Sequence, residues 1–138
     1  MEGESASYVR PQPLIAVRNV RASSRWYRQL LRAESLPEHE HRDSYDRIFR
    51  DGQLVLQLHA WDEDSHPNLV NPSAAQAGHG VLLWFEVNDF DAAVRAARSL
   101  HAEIVEEPHV NLQAQHKETW IRDPDGFVVV LAGPDGKT

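Results

Sequence analysis

Cysteine is absent from the 138 residues of the sequence. Disulfide bonds, thiolate nucleophiles and cysteine-ligated zinc are therefore excluded on residue type alone. Long apolar runs are missing too, since none approaches the ~20 residues that a membrane-spanning helix needs. The start of the chain, at 1–8, lacks the basic and then apolar order of a secretory signal. These absences predict a cytoplasmic protein that does not enter a membrane.

Positive charge is also scarce. Fourteen Lys and Arg side chains stand against 21 Asp and Glu, which gives a formal net charge of −7. A chain of this charge repels polyphosphate and slightly favours a cationic ligand. We therefore expect a small-molecule partner and no nucleic acid.

The size and composition are those of one soluble globular domain spanning 1–138. The hydrophobic fraction is 41% and the charged fraction 25%, both ordinary for such proteins. A chain of this length can bury roughly two thirds of its unfolded surface, so one core is enough.

The first half of the chain reads as a strand, a helix and a hairpin. Leu14–Val17 is a short apolar strand, and Asn19 is placed to cap a helix. Apolar positions then recur every three or four residues from Val20 to Leu30. An Asp-Gly turn joins two further strands, 47–50 and 54–61, in the manner of a tight hairpin.

The second half repeats this plan with a strand, a capping Asp89, an amphipathic helix and a hairpin. The elements are Val81–Val87, Phe90–Leu100, Thr119–Arg122 and Phe127–Leu131. Equivalent landmarks lie 70 residues apart for Asn19 and Asp89, and 74 residues apart for Asp51 and Asp125. This spacing predicts an internal duplication, with modules at about 12–61 and 79–132 and a linker at 62–78.

The order and spacing of two short phrases in this duplicated chain resemble the vicinal oxygen chelate superfamily of glyoxalases, bleomycin resistance proteins and dioxygenases. The phrases are Phe85–Asp89, which opens the second helix, and Arg122–Gly126, which precedes the last strand. The resemblance covers about 12–132. It implies an α+β fold in which two βαβββ modules form a half-open barrel around a cavity. A homodimer is the expected assembly, because each half-barrel has an unpaired edge.

Metal-dependent members of the superfamily carry His, Glu or Gln ligands on the cavity strands. The resemblance places the four ligand positions at Gln12, Gln57, Leu82 and Val130. Two of these side chains are neutral amides and two have no donor atom, whereas a bound divalent ion needs several donors that include a carboxylate or an imidazole. We therefore expect no metal cofactor at these positions.

Two ionisable residues are candidates for acid-base chemistry. Strand alternation turns His59 toward the cavity beside Gln57, and it gives Glu86 a cavity-facing register as well. Glu86 is expected near the cavity mouth or paired with Arg18 or Arg122, because an unpaired buried carboxylate is costly. If either Glu86 or Glu118 lay near His59, the pair could abstract a proton next to a carbonyl.

Three of the four tryptophans lie on strands whose register can turn them toward the cavity: Trp61, Trp84 and Trp120. Aromatic walls bind planar or cationic ligands by stacking and cation-π attraction, worth about 0.5 to 2 kcal/mol each. The alternative is that these rings only fill the core of a small barrel.

The leading hypothesis is a metal-independent small-molecule binding protein of the bleomycin-resistance type, which sequesters an aromatic or cationic ligand. The expected ligand-binding residues are Gln12, Gln57, His59, Trp61, Leu82, Trp84, Trp120 and Val130. One alternative is a glyoxalase-like or dioxygenase-like lyase, isomerase or oxygenase with an unorthodox or absent metal site, in which His59 and Glu86 would be catalytic. Another is a diverged member with a collapsed cavity that binds other proteins.

Overall fold

The computed structural model of the protein describes residues 7, 10–35, 43–61, 69, 78, 81–112 and 116–133. The predicted linker at 62–78 lies outside them except for positions 69 and 78, and the predicted module boundaries stay predictions. The elements in chain order are β1 (Leu14–Val17), α1 (Val20–Leu31), β2 (Tyr45–Arg50), β3 (Gln53–Ala60), β4 (Leu82–Glu86), α2 (Phe90–Ser99), β5 (Glu103–Asn111), β6 (His116–Arg122) and β7 (Val128–Gly133).

The strands form two sheets with the same internal order. Within the described ranges the first sheet runs β1-β3-β2 and the second β4-β7-β6-β5. In each sheet the strand before the helix pairs parallel with the last strand of its module, and the remaining pairs are antiparallel. Glu34 forms a single antiparallel bridge with Phe49, at the place that β5 occupies in the second module. The predicted α+β fold of two half-open βαβββ modules is confirmed.

Both helices begin where the sequence predicts. The side chain of Asn19 accepts a hydrogen bond from the amide of Ala22, and Asp89 accepts one from Ala92, each at 3.0 Å. Such caps bind backbone N–H groups that the first turn of a helix leaves without a partner. The buried side of α1 then packs on the first sheet, while α2 packs on the second.

One continuous core lies between the helices and the sheets. The fully buried side chains of Leu56 and Leu58 from the first module join Ile121, Val129 and Leu131 from the second. Successive residues of a strand point to opposite faces, so the intervening side chains lie on the side of the sheets away from the helices. This second side, here called the open face, is where the candidate site lies.

Polar contacts fasten α1 to the turn between β6 and β7. The phenol of Tyr27 donates a 2.7 Å hydrogen bond to Asp123, and the guanidinium of Arg18 lies 2.8 Å from the carboxylate of Asp125. Asp123 also accepts hydrogen bonds from the backbone amides of Asp125 and Phe127, and these bonds close the turn. The two modules therefore share one buried polar contact, Tyr27 with Asp123, and an exposed ion pair, Arg18 with Asp125, as well as a core.

Neither helix of the described chain is long and apolar enough to cross a bilayer. The absence of a membrane partner and the cytoplasmic location stay predictions.

Candidate functional site

A cavity of about 530 Å³ opens between the two modules. Its walls come from the segment before β1, from the start of β3 and from the whole of β4. The lining residues are Pro11, Pro13, Gln53, Leu54, Val55, Val81, Leu82, Leu83, Trp84, Phe85 and Glu86. Leu82 and Trp84 are each 44% exposed, which is unusual for side chains of their size and polarity. The cavity thus offers an aromatic and aliphatic wall to solvent.

Three of the predicted site residues, Leu82, Trp84 and Glu86, lie in this wall. They alternate along β4 and face the cavity, in the register that strand periodicity predicts. The register also aligns Trp84 with Val130, and Val130 with Trp120 on the next strand. Val130 is fully buried and Trp120 is half-buried. The second sheet therefore brings four predicted ligand-binding residues together.

The first sheet brings together Gln12, Gln57 and His59. The side-chain amide of Gln57 donates a 3.0 Å hydrogen bond to the backbone carbonyl of Gln12, and its oxygen accepts one from the phenol of Tyr45. Trp61 follows directly after β3 and is half-buried. The nitrogen and the oxygen of the Gln57 amide are therefore both hydrogen bonded to other residues of the protein.

The four positions that the resemblance assigns to a metal do not fit one. Leu82 and Val130 have no donor atom, and the amide of Gln57 is occupied by Gln12 and Tyr45. A divalent ion with oxygen or nitrogen ligands needs a larger and more strongly donating set. We therefore derive no chemistry through an ion at these positions.

His59 has a defined tautomer in its neutral form. Its Nδ1 lies 2.6 Å from the carbonyl oxygen of Ala60, and because a carbonyl only accepts, Nδ1 carries the proton. Nε2 is then the basic nitrogen of the neutral ring. The ring also contacts Tyr45 edge-on, with centroids 6.1 Å apart.

Glu86 is exposed at the end of β4, and the two arginines considered as its partners bind elsewhere. Arg18 pairs with Asp125, and Arg122 lies 3.4 Å from the carboxylate of Glu103. The catalytic roles of His59 and Glu86 stay predictions.

The carboxylate of Glu118, on the open face, is held by three side-chain hydrogen-bond donors. Only 2% of the residue is exposed, and both carboxylate oxygens are hydrogen bonded. Trp120 donates to Oε1 at 2.7 Å, while Asn111 and His116 donate to Oε2 at 3.0 and 2.8 Å. Burial raises the pKa of Glu118, but these three hydrogen bonds and the neighbouring His116 outweigh that effect and hold the pKa below its ordinary value.

This carboxylate adjoins the aromatic wall, because the ring of His116 packs edge-on against Trp84 with centroids 5.3 Å apart. Sequence reasoning considered Glu118 only as a partner for His59. The alternation of Glu118 with Trp120 along β6 was a signal that both face the cavity side. A site combining indole rings and an ionised carboxylate can bind an aromatic cation.

A family model described as the Glyoxalase/Bleomycin resistance protein/Dioxygenase superfamily matches residues 9–131. The chain belongs to this superfamily. The resemblance of the sequence to the vicinal oxygen chelate proteins is thereby confirmed. A search of curated proteins found no match.

Several solved structures share the fold. A glyoxalase/bleomycin resistance protein/dioxygenase family enzyme from Burkholderia phytofirmans is 16% identical with a TM-score of 0.69, over 88% of this chain and 95% of its own. Lactoylglutathione lyase from Agrobacterium tumefaciens is also 16% identical, with a TM-score of 0.65 over 94% and 96%. TioX from Micromonospora is 12% identical, with a TM-score of 0.66 over 94% and 99%. At these identities the likeness concerns the fold alone.

Proposed function

We propose that this superfamily member is a metal-independent small-molecule binding protein of the bleomycin-resistance type, which sequesters an aromatic or cationic ligand in the cavity between its modules. The observation that carries this proposal is the half-exposed indole of Trp84 in an apolar cavity wall. Large apolar side chains grouped at the wall of a concave site are typical of ligand-binding surfaces.

The surroundings of Trp84 favour a flat ligand that carries positive charge. Leu82, on the same face of β4, extends the apolar surface, and the edge-on ring of His116 supports the indole from the side. The carboxylates of Glu86 and Glu118 put negative charge beside this surface, and the formal charge of the whole chain is −7. Stacking and cation-π attraction to one tryptophan are worth about 0.5 to 2 kcal/mol.

Tryptophan fluorescence and calorimetry test the proposal with planar aromatic cations and cationic glycopeptides in buffer that contains EDTA. We expect saturable binding that Trp84→Ala weakens about 2-fold to 30-fold, which is the range that 0.5 to 2 kcal/mol corresponds to. Leu112→Ala is the matched control, because Leu112 is 83% exposed and lies outside the cavity wall. The affinity of this variant for the ligand should equal that of the wild type.

Two results would contradict the binding proposal. Absence of saturable binding across the panel would favour the alternative of a collapsed cavity and a protein partner. Binding or turnover that requires an added divalent metal would favour a lyase, isomerase or oxygenase in which His59 and Glu86 act on the substrate.

We also propose that the protein forms a homodimer. In the described chain β5 ends the second sheet, and it exposes Val105 by 40%. Exposed edges with apolar side chains are suited to pairing with a second copy. Sedimentation equilibrium should give twice the mass of the chain, and a concentration-independent single-chain mass would contradict the assembly.

A further inference from the structure

We propose that Glu106, His109 and Glu118 form a binding site for a divalent transition-metal ion on the open face of the second sheet. The site uses none of the four positions that the superfamily resemblance assigns to a metal. It goes beyond the proposed function, because ligand binding at the Trp84 wall does not require it.

An irregular strand pairing brings the three side chains together. Glu106 and His109 are three residues apart on β5, and a regular strand would turn them to opposite faces. The register between β5 and β6 shifts on both sides of Glu106, so that Glu106 pairs with Trp120 and His109 with Glu118. Bulges of this kind re-aim a side chain, and they often occur beside functional sites.

The potential ligand atoms converge on one point. His109 Nε2 lies 3.7 Å from Glu106 Oε1 and 4.0 Å from Glu118 Oε1, and all three ligand atoms lie within 4.8 Å of one another. A tetrahedral ion with bonds of ~2.1 Å holds its ligand atoms about 3.4 Å apart. Small rotations of Glu106 and His109, whose side chains are 42% and 41% exposed, would close the difference.

The hydrogen bonding of His109 leaves its Nε2 available on the side of the two carboxylates. Its Nδ1 lies 2.8 Å from the carbonyl oxygen of Glu107, and since a carbonyl only accepts, Nδ1 carries the proton. In this tautomer the unprotonated Nε2 points toward the carboxylates of Glu106 and Glu118 and can serve as a ligand atom. A backbone carbonyl that holds the distal imidazole nitrogen is the usual support of a metal-ligating histidine.

Glu118 supplies an oriented, ionised ligand. Trp120, Asn111 and His116 hold its carboxylate in place, as the outer hydrogen bonds of metal sites do. The two exposed ligands leave a path from solvent and room for water or a further ligand at the ion. One imidazole nitrogen with two carboxylate oxygens suits Zn²⁺ or a similar transition metal better than Mg²⁺ or Ca²⁺, which take oxygen ligands.

Calorimetric titration of the full chain with Zn²⁺ alone tests the site, with Mg²⁺ as the comparison ion. We expect one Zn²⁺ ion per chain to bind more tightly than Mg²⁺. Glu106→Gln and His109→Gln should each weaken Zn²⁺ binding about 10-fold or more, the scale on which even supporting residues of metal sites act. Glu103→Gln and His101→Gln are the matched controls, because both residues are exposed and lie outside the cluster. The controls should bind Zn²⁺ as the wild type does.

Nuclear magnetic resonance gives a second readout, which reports on the carboxylate of Glu118. Zn²⁺ should shift the indole N–H signal of Trp120, because that group donates to a carboxylate of the site. Zn²⁺ affinity that is equal in all four variants, or an unshifted Trp120 signal, would overturn the proposal. So would an imidazolium at His109 that persists at neutral pH with Zn²⁺ present, since a proton would then occupy the position of the ion. Ligand binding in EDTA is measured separately, so its failure is distinguishable from failure of the metal site.

Discussion

The phenol of Tyr27 donates a hydrogen bond to Oδ2 of Asp123 across the boundary between the modules. Burial raises the pKa of Asp123, and the hydrogen bonds from Tyr27, Asp125 and Phe127 counteract that effect. Burial outweighs these hydrogen bonds, so the pKa of Asp123 lies above its ordinary value.

Replacing Tyr27 with Phe should lower the free energy of unfolding by about 1 to 3 kcal/mol, because a buried acceptor loses its partner. Urea denaturation measures the change. Tyr45→Phe is the control, since the phenol of Tyr45 also donates to a side chain but is only half-buried. An equal loss in the two variants would contradict the role given to burial.

The stability of the protein should depend on pH through Glu118. Its folded pKa lies below the ordinary value of 4.5, so its contribution to stability is present above that pH and is lost as the pH falls through the folded pKa. Urea denaturation between about pH 3 and 6 should give a shallower pH dependence for Glu118→Gln than for the wild type.

The same substitution should also destabilise the protein at neutral pH by about 1 to 3 kcal/mol, since an amide has one acceptor oxygen for three donors. Glu107→Gln is the matched control, because Glu107 is exposed and makes a surface ion pair with Arg98. Identical pH profiles for Glu118→Gln and the wild type would contradict the assignment.

Gly52 and Gly78 allow the cost of backbone strain to be measured apart from the cost of steric contact. Gly52 and Gly78 have φ angles of 77° and 80°, and a Cβ at Gly52 would meet nothing within 4 Å. A Cβ at Gly78 would lie 2.7 Å from the ring of Phe127. Gly52→Ala should lower the free energy of unfolding by about 1 to 2 kcal/mol, because Ala is strained in the left-handed conformation. Gly78→Ala should lower it by about 1 to 3 kcal/mol more, because the added Cβ overpacks against Phe127. Thermal denaturation of both variants measures the difference, and equal melting temperatures would contradict it.

Val130 is fully buried on the strand between those that carry Trp84 and Trp120, at one of the four positions that the resemblance assigns to a metal. Val130→Glu should therefore destabilise the protein by about 3 kcal/mol or more, because the substitution buries a carboxylate where the valine has no polar partner. Val128→Glu, on the same face of β7 but half-buried, is the control and should cost less. A Val130→Glu variant as stable as the wild type would contradict the burial of this position.

Local sequence signals were enough for most of the fold. Asn19 and Asp89 cap helices, Asp-Gly pairs stand at both hairpin turns, and apolar alternation on β3 and β4 identifies the buried face. Strand β5 was not located from the sequence. Its residues alternate between half-buried and exposed without a fully buried position, and Pro108 interrupts it, so an edge strand of this kind has no clear apolar pattern.

The candidate site was harder to predict than the fold because it depends on contacts between strands. The positions of Leu82 and Trp84 in the cavity wall follow from alternation on one strand. The convergence of Glu106, His109 and Glu118 depends on a register shift between two strands, which no single-strand pattern contains. For the same reason, strand alternation singled out His59 among the eight histidines and not His109.

The contact of Tyr27 with the second module also determines how independently each half can exist. Its ring packs against Phe85, and its hydroxyl group is bonded to Asp123, so cutting the chain between the modules would leave a buried phenol of the first half facing water. Each half should accordingly behave as an incomplete folding unit, and the two halves should regain structure only when they are mixed. The two modules share one order of strands, yet each completes the buried surface of the other.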